Sequence, residues 1–182
     1  MTKLEGNLVI RAPMLWDGMS GSPVLQATLA IAGEKIAYAG TTANSPDFPG
    51  AKMIVLNDAC LLPGLIDMHV HPTYFWEEPD SAAYTYGPEG ALEYSPVMIA
   101  MLAVHNLHKA LMSGVTTARD TGSINNIMFD VKRAVQKGFV PGPRLYLSGR
   151  LIVPSGGHVH YLEGLANQAD GLYGFRKAVR EE

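Results

Sequence analysis

The sequence predicts an α/β protein: a small β-module over residues 1–60, then parallel βα units over residues 61–182. Three observations carry that prediction. Before residue 60, short apolar runs are separated by turn residues. From residue 61 onward, strand-like runs alternate with stretches whose apolar residues recur at helical spacing, the order that builds parallel βαβ units. The first strand of this second part also ends on two histidines with one residue between them, His69 and His71.

Within the β-module, residues 7–12 (NLVIRA) read as a strand, followed by a Pro- and Gly-rich loop through Met14–Pro23. Val24–Ile31 and Ile36–Gly40 flank Gly33-Glu34-Lys35, a hairpin signal. Residues 41–50 read as a loop and Lys52–Asn57 as a further strand. A few strands with one apolar face need further pairing to be stable, so a segment from elsewhere is expected to complete the module. Cys60 is the only cysteine. It reads as a small buried residue beside the next strand, and its inability to form an internal disulfide fits a reducing, cytoplasmic compartment.

The stretch Leu61–Pro72 (LLPGLIDMHVHP) places a Pro-Gly pair before an apolar run, with Ile66–Val70 expected as a buried strand. Side chains at i and i+2 of a strand share a face. Asp67, His69 and His71 therefore fall on one side, and Ile66, Met68 and Val70 on the other. Two imidazoles placed in this way can converge on one cation at the strand end. Asp67 reads either as a carboxylate that orients a ligand histidine or the strand, or as a hydrogen-bonded structural group.

A long connection, Thr73–Tyr94, follows; its Tyr74, Phe75, Trp76, Tyr84, Tyr86 and Tyr94 read equally as a pocket wall or as a small satellite core. Ser95 and Pro96 then fit the N-cap and first position of a helix. Val97, Met101, Val104 and Leu111, with Met98, Leu102 and Leu107, give that helix a broad apolar stripe, and Gly114 ends it. His105 and His108 on it read as solvated or packing residues. Val115–Arg119 reads as a strand, Ile124–Lys137 as a helix with Ile127, Met128, Val131 and Val135 inward, and Leu145–Ser148 as a third strand. Asp170–Glu182 reads as a helix built on Leu172, Phe175 and Val179.

Parallel βα proteins carry their sites at the carboxyl ends of their strands. Here those ends hold His69 and His71, then Arg119-Asp120, expected as an ion pair, then Ser155-Gly156-Gly157-His158-Val159-His160. His158 and His160 read as substrate-contacting groups rather than metal ligands, because strand periodicity cannot be assumed after two glycines. No Ser-His-Asp arrangement, P-loop or dinucleotide fingerprint is present.

PGLIDMHVH resembles the first barrel strand of the amidohydrolase superfamily, the metal-dependent hydrolases built on a TIM-like (β/α)8 barrel. GVTTARDTG at Gly114–Gly122 and GPRLYLSGR at Gly142–Arg150 resemble that family's second and third strands, in the same order. The prolidase-like and imidazolonepropionase-like branch is the most similar. This resemblance implies that His69 and His71 bind a divalent metal, commonly zinc, as one or two ions. It implies hydrolysis of an amide, dipeptide, carbamate or urea C–N bond by a metal-activated water. It also implies a β-sandwich-type module completed from the C-terminal end, and a general base and further ligands beyond residue 182. A whole barrel takes about 250 residues, so the chain is expected to hold about three βα units of one, inactive and poorly stable by itself.

Composition narrows the partners. A 47% hydrophobic and 17% charged chain is globular rather than disordered. A net charge of −3 leaves no basic footprint for nucleic acid. No apolar run approaches the roughly 18–20 residues of a membrane span, and the N-terminus lacks a signal peptide's apolar centre. The partners expected are a small-molecule substrate and either further copies of the chain or a chain completing the barrel. The competing reading is a non-catalytic half-barrel serving as an assembly or structural module.

Overall fold

The computed structural model describes residues 7–74 and 93–182. The expected roles of Phe75, Trp76, Tyr84 and Tyr86 fall outside these residues. The chain divides into two compact units, Met1–Pro63 and Gly64–Glu182.

The first unit is a mixed sheet centred on β1 (Asn7–Leu15). On one side β1 pairs antiparallel with β2 (Val24–Ala32), which turns through Gly33 and Glu34 into β3 (Lys35–Thr41). Gly33 adopts φ +59°, a conformation that costs glycine little and explains the hairpin signal. On the other side β1 runs parallel to β4 (Lys52–Val55) and β5 (Cys60–Leu61). The first strand is longer than its sequence suggests and extends through Pro13 to Leu15. The ladder passes over Pro13, which has no N–H to give, and pairing resumes at Met14. Val9, Leu15, Ala27 and Ala30 are buried. Cys60 is exposed, contrary to expectation, because β5 is a two-residue strand at the margin of the sheet.

The second unit is built on a parallel sheet in the order β6 (Leu65–Val70), β7 (Val115–Asp120), β8 (Arg144–Leu147). Helix α1 (Pro96–Met112) connects β6 to β7, and α2 (Ile127–Gln136) connects β7 to β8. The Ser95 hydroxyl accepts from the Met98 amide at the start of α1, as its N-cap position demands. Ala103 and Leu107 of α1, Met128 and Val131 of α2, Ala118 of β7 and Leu145 of β8 form one core between helices and sheet. A second core joins Tyr74, Ile99, Ile124, Leu162 and Leu165.

Several expected faces are corrected. Helix α1 buries Ile99, Ala103 and Leu107, while Val97 and Met101 are 70% and 65% exposed. Apolar residues run almost all round this helix, so its period selects no single face. Strand β6 is not buried: Ile66 and Met68 are 63% and 52% exposed. It is the edge of its sheet, and the helical core on Ala118 and Leu145 covers only part of that surface. Beyond β8 come two short parallel strands, β9 (Leu151–Val153) and β10 (Ala166–Gln168), that the sequence does not announce. Helix α3 (Gly171–Glu181) buries Ala178 and leaves Leu172 and Val179 exposed, reversing the expected face.

Candidate metal centre

The carboxyl end of β6 is shaped by a slip in register. Asp67 pairs with Ala118 and Val70 with Asp120, so three steps on β6 match two on β7. Two backbone groups around this slip find side-chain partners. The Met68 carbonyl accepts from Arg119 Nε at 2.7 Å, and the His69 amide donates to Asp67 Oδ1 at 3.1 Å. Asp67 thus braces the backbone of His69 rather than an imidazole, and strict alternation cannot be carried from Asp67 across the slip.

Beyond the slip, the two histidines meet. Their ring centroids lie 5.1 Å apart at an interplanar angle of 77°, and His69 Nε2 is 3.2 Å from His71 Nε2. His71 Nδ1 lies 2.9 Å from the Gly122 carbonyl oxygen. A carbonyl only accepts, so Nδ1 is the donor of this bond, and in the neutral ring that leaves Nε2, the atom facing His69, as the acceptor. The other face of the His71 ring stacks on Tyr74, 4.6 Å away and 8° from parallel. His69 and His71 line a cavity of about 280 Å³ with Pro72, Asn106 and Leu107 among its walls. Asn106 Nδ2 donates to the carbonyls of Pro72 and Tyr74, at 2.9 and 3.0 Å, and clamps the chain leaving β6 onto α1.

Arg119 and Asp120 do not form the expected ion pair. As neighbours on a strand they project to opposite sides: Arg119 is exposed, reaching Met68, and Asp120 is fully buried. Burial pushes the Asp120 carboxyl above its ordinary value, against the lowering effects of the Ser123 hydroxyl and the Gly122 amide.

His158 and His160 lie in the turn after β9, both exposed. The ring contacts of His160 are local, Nδ1 to the Gly157 carbonyl at 2.8 Å and an edge-on approach to Tyr161, while its carbonyl accepts from Gln168 Nε2 at 3.3 Å. Neither histidine lines the cavity of His69 and His71. Val159 between them adopts φ +53°, a conformation that β-branched residues avoid. His105 and His108 line a different cavity, between α1 and α2. Sequence reasoning missed Asn106, Gly122 and Ser123 in the surroundings of the pair. Among them only Gly122, a glycine two residues past the end of β7, carried a signal.

The Amidohydrolase family model matches residues 60–173, more than half of the chain. The chain belongs to the amidohydrolase family. It is 28% identical over 167 residues to ochratoxinase of Aspergillus niger, covering 91% of this chain and 33% of that enzyme. Two solved structures are similar across 97% of the chain and 44% of their own lengths. One is an Xaa-Pro dipeptidase with methionine bound in its active site (TM-score 0.80, 26% identity). The other is a prolidase in complex with N-methylphosphonate-L-proline (TM-score 0.78, 25% identity). The chain therefore spans a third of the length of that curated relative and less than half of each of these two solved chains.

Proposed function

We propose that this chain supplies the first metal-binding strand of a hydrolase that cleaves C–N bonds, with amides of dipeptide type as substrates. The observation that carries the reading is the spacing and orientation of the two Nε2 atoms. Two nitrogens each about 2.0–2.1 Å from a tetrahedral zinc lie about 3.3 Å apart; His69 and His71 hold theirs at 3.2 Å. The bond from His71 Nδ1 to the Gly122 carbonyl is the outer hydrogen bond that metal-ligating histidines ordinarily make. The donor set therefore fits a zinc-like divalent cation, one per histidine pair.

When bound, such a cation supplies an acidified water and polarises the scissile carbonyl. The residues of this chain hold and orient. His69 and His71 provide imidazole nitrogens, Asp67 and Arg119 secure the backbone between them, and Tyr74 and Asn106 fix the exit of the strand. A catalytic zinc usually takes three protein ligands. Among the described residues no group of three His, Cys, Asp or Glu side chains gathers, and His69 and His71 supply two such ligands. Membership of the family, and the similarity to a dipeptidase and a prolidase, support the dipeptide class. His158 and His160, on the turn whose Val159 packs against the core of Tyr74, are taken as substrate-contacting groups outside the cavity itself. The sheet of β1–β5 is taken as one layer of a sandwich-type module, and β6–β8 with their helices as three βα units of a barrel.

The exposed Ile66 and Met68 favour a second reading, a structural module whose apolar strand is covered by another copy or another segment. Elemental analysis after zinc loading separates the two. His69→Ala and His71→Ala are each expected to remove the zinc retained by the unaltered protein, and hydrolysis of Xaa-Pro dipeptides by the whole protein to fall with it. Unchanged zinc content in both variants rules out the pair as ligands.

A further inference from the structure

We propose that Asp120 is a positioning residue for His71: acting through Gly122, it holds the imidazole with its proton on Nδ1 and its Nε2 directed toward His69. The inference deepens the metal reading of that pair and rests on it for its functional meaning.

Asp120 ends β7 and is 0% exposed. A carboxylate is costly to bury without a cationic partner, and among the described residues Asp120 has no ion pair. Its Oδ2 has no hydrogen-bond partner there either. The work of the group is concentrated on Oδ1, which accepts from the Ser123 hydroxyl at 2.7 Å and the Gly122 amide at 3.3 Å. These two bonds set the turn 120–123 rather than a salt bridge.

That turn is also pinned from three other directions. The Thr121 amide donates to the Val70 carbonyl at 3.1 Å, tying the turn to β6 one residue before His71. The Ser123 amide donates to the Gly149 carbonyl at 3.1 Å. Gly122 itself, at φ +152°, sits where an added Cβ would come within 2.2 Å of Leu151 Cδ1, so only glycine fits without displacing the core. What the turn presents is the Gly122 carbonyl, 2.9 Å from His71 Nδ1. The amide of the same peptide unit is the one that donates to Gly149, and a peptide bonded at both ends is a strengthened acceptor.

The sequence of contacts is thus carboxylate, turn, carbonyl, imidazole. Without the carboxylate, the turn loses its bonds to the Gly122 amide and the Ser123 hydroxyl and keeps only its backbone ties to Val70 and Gly149. The His71 proton is then free to move to Nε2, the atom a cation requires unprotonated.

The test reads the proton directly. Long-range ¹H–¹⁵N correlation of the imidazoles in the metal-free protein reports which nitrogen is protonated, and cobalt(II) titration followed by absorbance reports affinity. In the unaltered protein His71 is expected as the Nδ1–H form. Asp120→Ala should shift it toward Nε2–H and weaken cobalt binding about 10–100-fold. Asp120→Asn keeps an oxygen acceptor for Gly122 and Ser123 and should restore most of both. Where Asp120→Ala does not fold, Ser123→Ala removes one of the two bonds and should move both readouts in the same direction by a smaller amount. A folded Asp120→Ala or Ser123→Ala protein with the Nδ1–H form and cobalt affinity unchanged overturns the proposal. A proton shift in Asp120→Ala alongside an unaltered protein that binds no cobalt keeps the positioning role and removes the metal reading.

Discussion

Arg119 donates through Nε to the carbonyl of Met68, 2.7 Å away on the neighbouring strand. The bond sits at the slip in register between β6 and β7, one residue before His69. A surface arginine thereby becomes part of the backbone geometry that presents a histidine.

Arg119→Ala is expected to cost about 0.5–1.5 kcal/mol of stability, the net value of one hydrogen bond. Its larger effect should be on cobalt affinity, reduced severalfold as His69 loses its brace. Urea midpoints and cobalt titration of the same preparation check both. An affinity equal to that of the unaltered protein would show that Asp67 alone suffices.

Asn106 faces two carbonyls, those of Pro72 and Tyr74, with both protons of one amide. Asn106→Asp is an isosteric change that replaces the two donors by a carboxylate oxygen. It should be more damaging than Asn106→Ala, which is expected to cost about 1–3 kcal/mol by leaving acceptors unpaired. Thermal unfolding of the three proteins at neutral pH ranks them. An aspartate variant as stable as the alanine variant would mean that water reaches this clamp.

Ser155 donates from both its amide and its hydroxyl to the carboxylate of Asp170, which precedes α3. These bonds, the hydroxyl's first, hold the Asp170 carboxyl below its ordinary value of 3.8. A folded-state value below the unfolded one adds stability above the unfolded value, and that stability is lost as pH falls through the folded one. Ser155→Ala should therefore lower the melting temperature at pH 7, and the gap from the unaltered protein should close as pH drops below 3.8. A gap that is constant from pH 7 to pH 3 would place the contribution of Ser155 elsewhere.

Met128 is 1% exposed in the core between α2 and the sheet. Met128→Ala should destabilise by about 2–5 kcal/mol through lost burial and a residual cavity. Phe139→Ala, at a 75% exposed position, should change stability by less than about 0.5 kcal/mol. Denaturant melts of the two variants give the contrast.

How much of this was readable from the residues depends on how many positions shared the signal. The strand carrying His69 and His71 was legible because alternation places i and i+2 together, and the hairpin was legible through Gly33. The same alternation argues against pairing Arg119 with Asp120, since adjacent strand residues point apart. The faces of α1 and α3 were not legible. In α1 apolar residues surround the axis, and in α3 the buried contact is a single alanine, Ala178. Strands β9 and β10 are three residues each, too short for any period to register. Asn106 and Ser123 act as single polar groups placed by tertiary contacts, and a lone polar residue has no pattern to betray it.

Cys60 has a practical consequence. It is the only thiol in the sequence, it is exposed, and it lies just before the boundary between Pro63 and Gly64. A thiol-directed fluorophore will therefore attach to one known atom, with no cysteine to be removed first. Paired with a second dye introduced on the exposed surface of α3, it makes the separation of the two units a spectroscopic ruler, readable in solution on addition of a metal ion or a dipeptide.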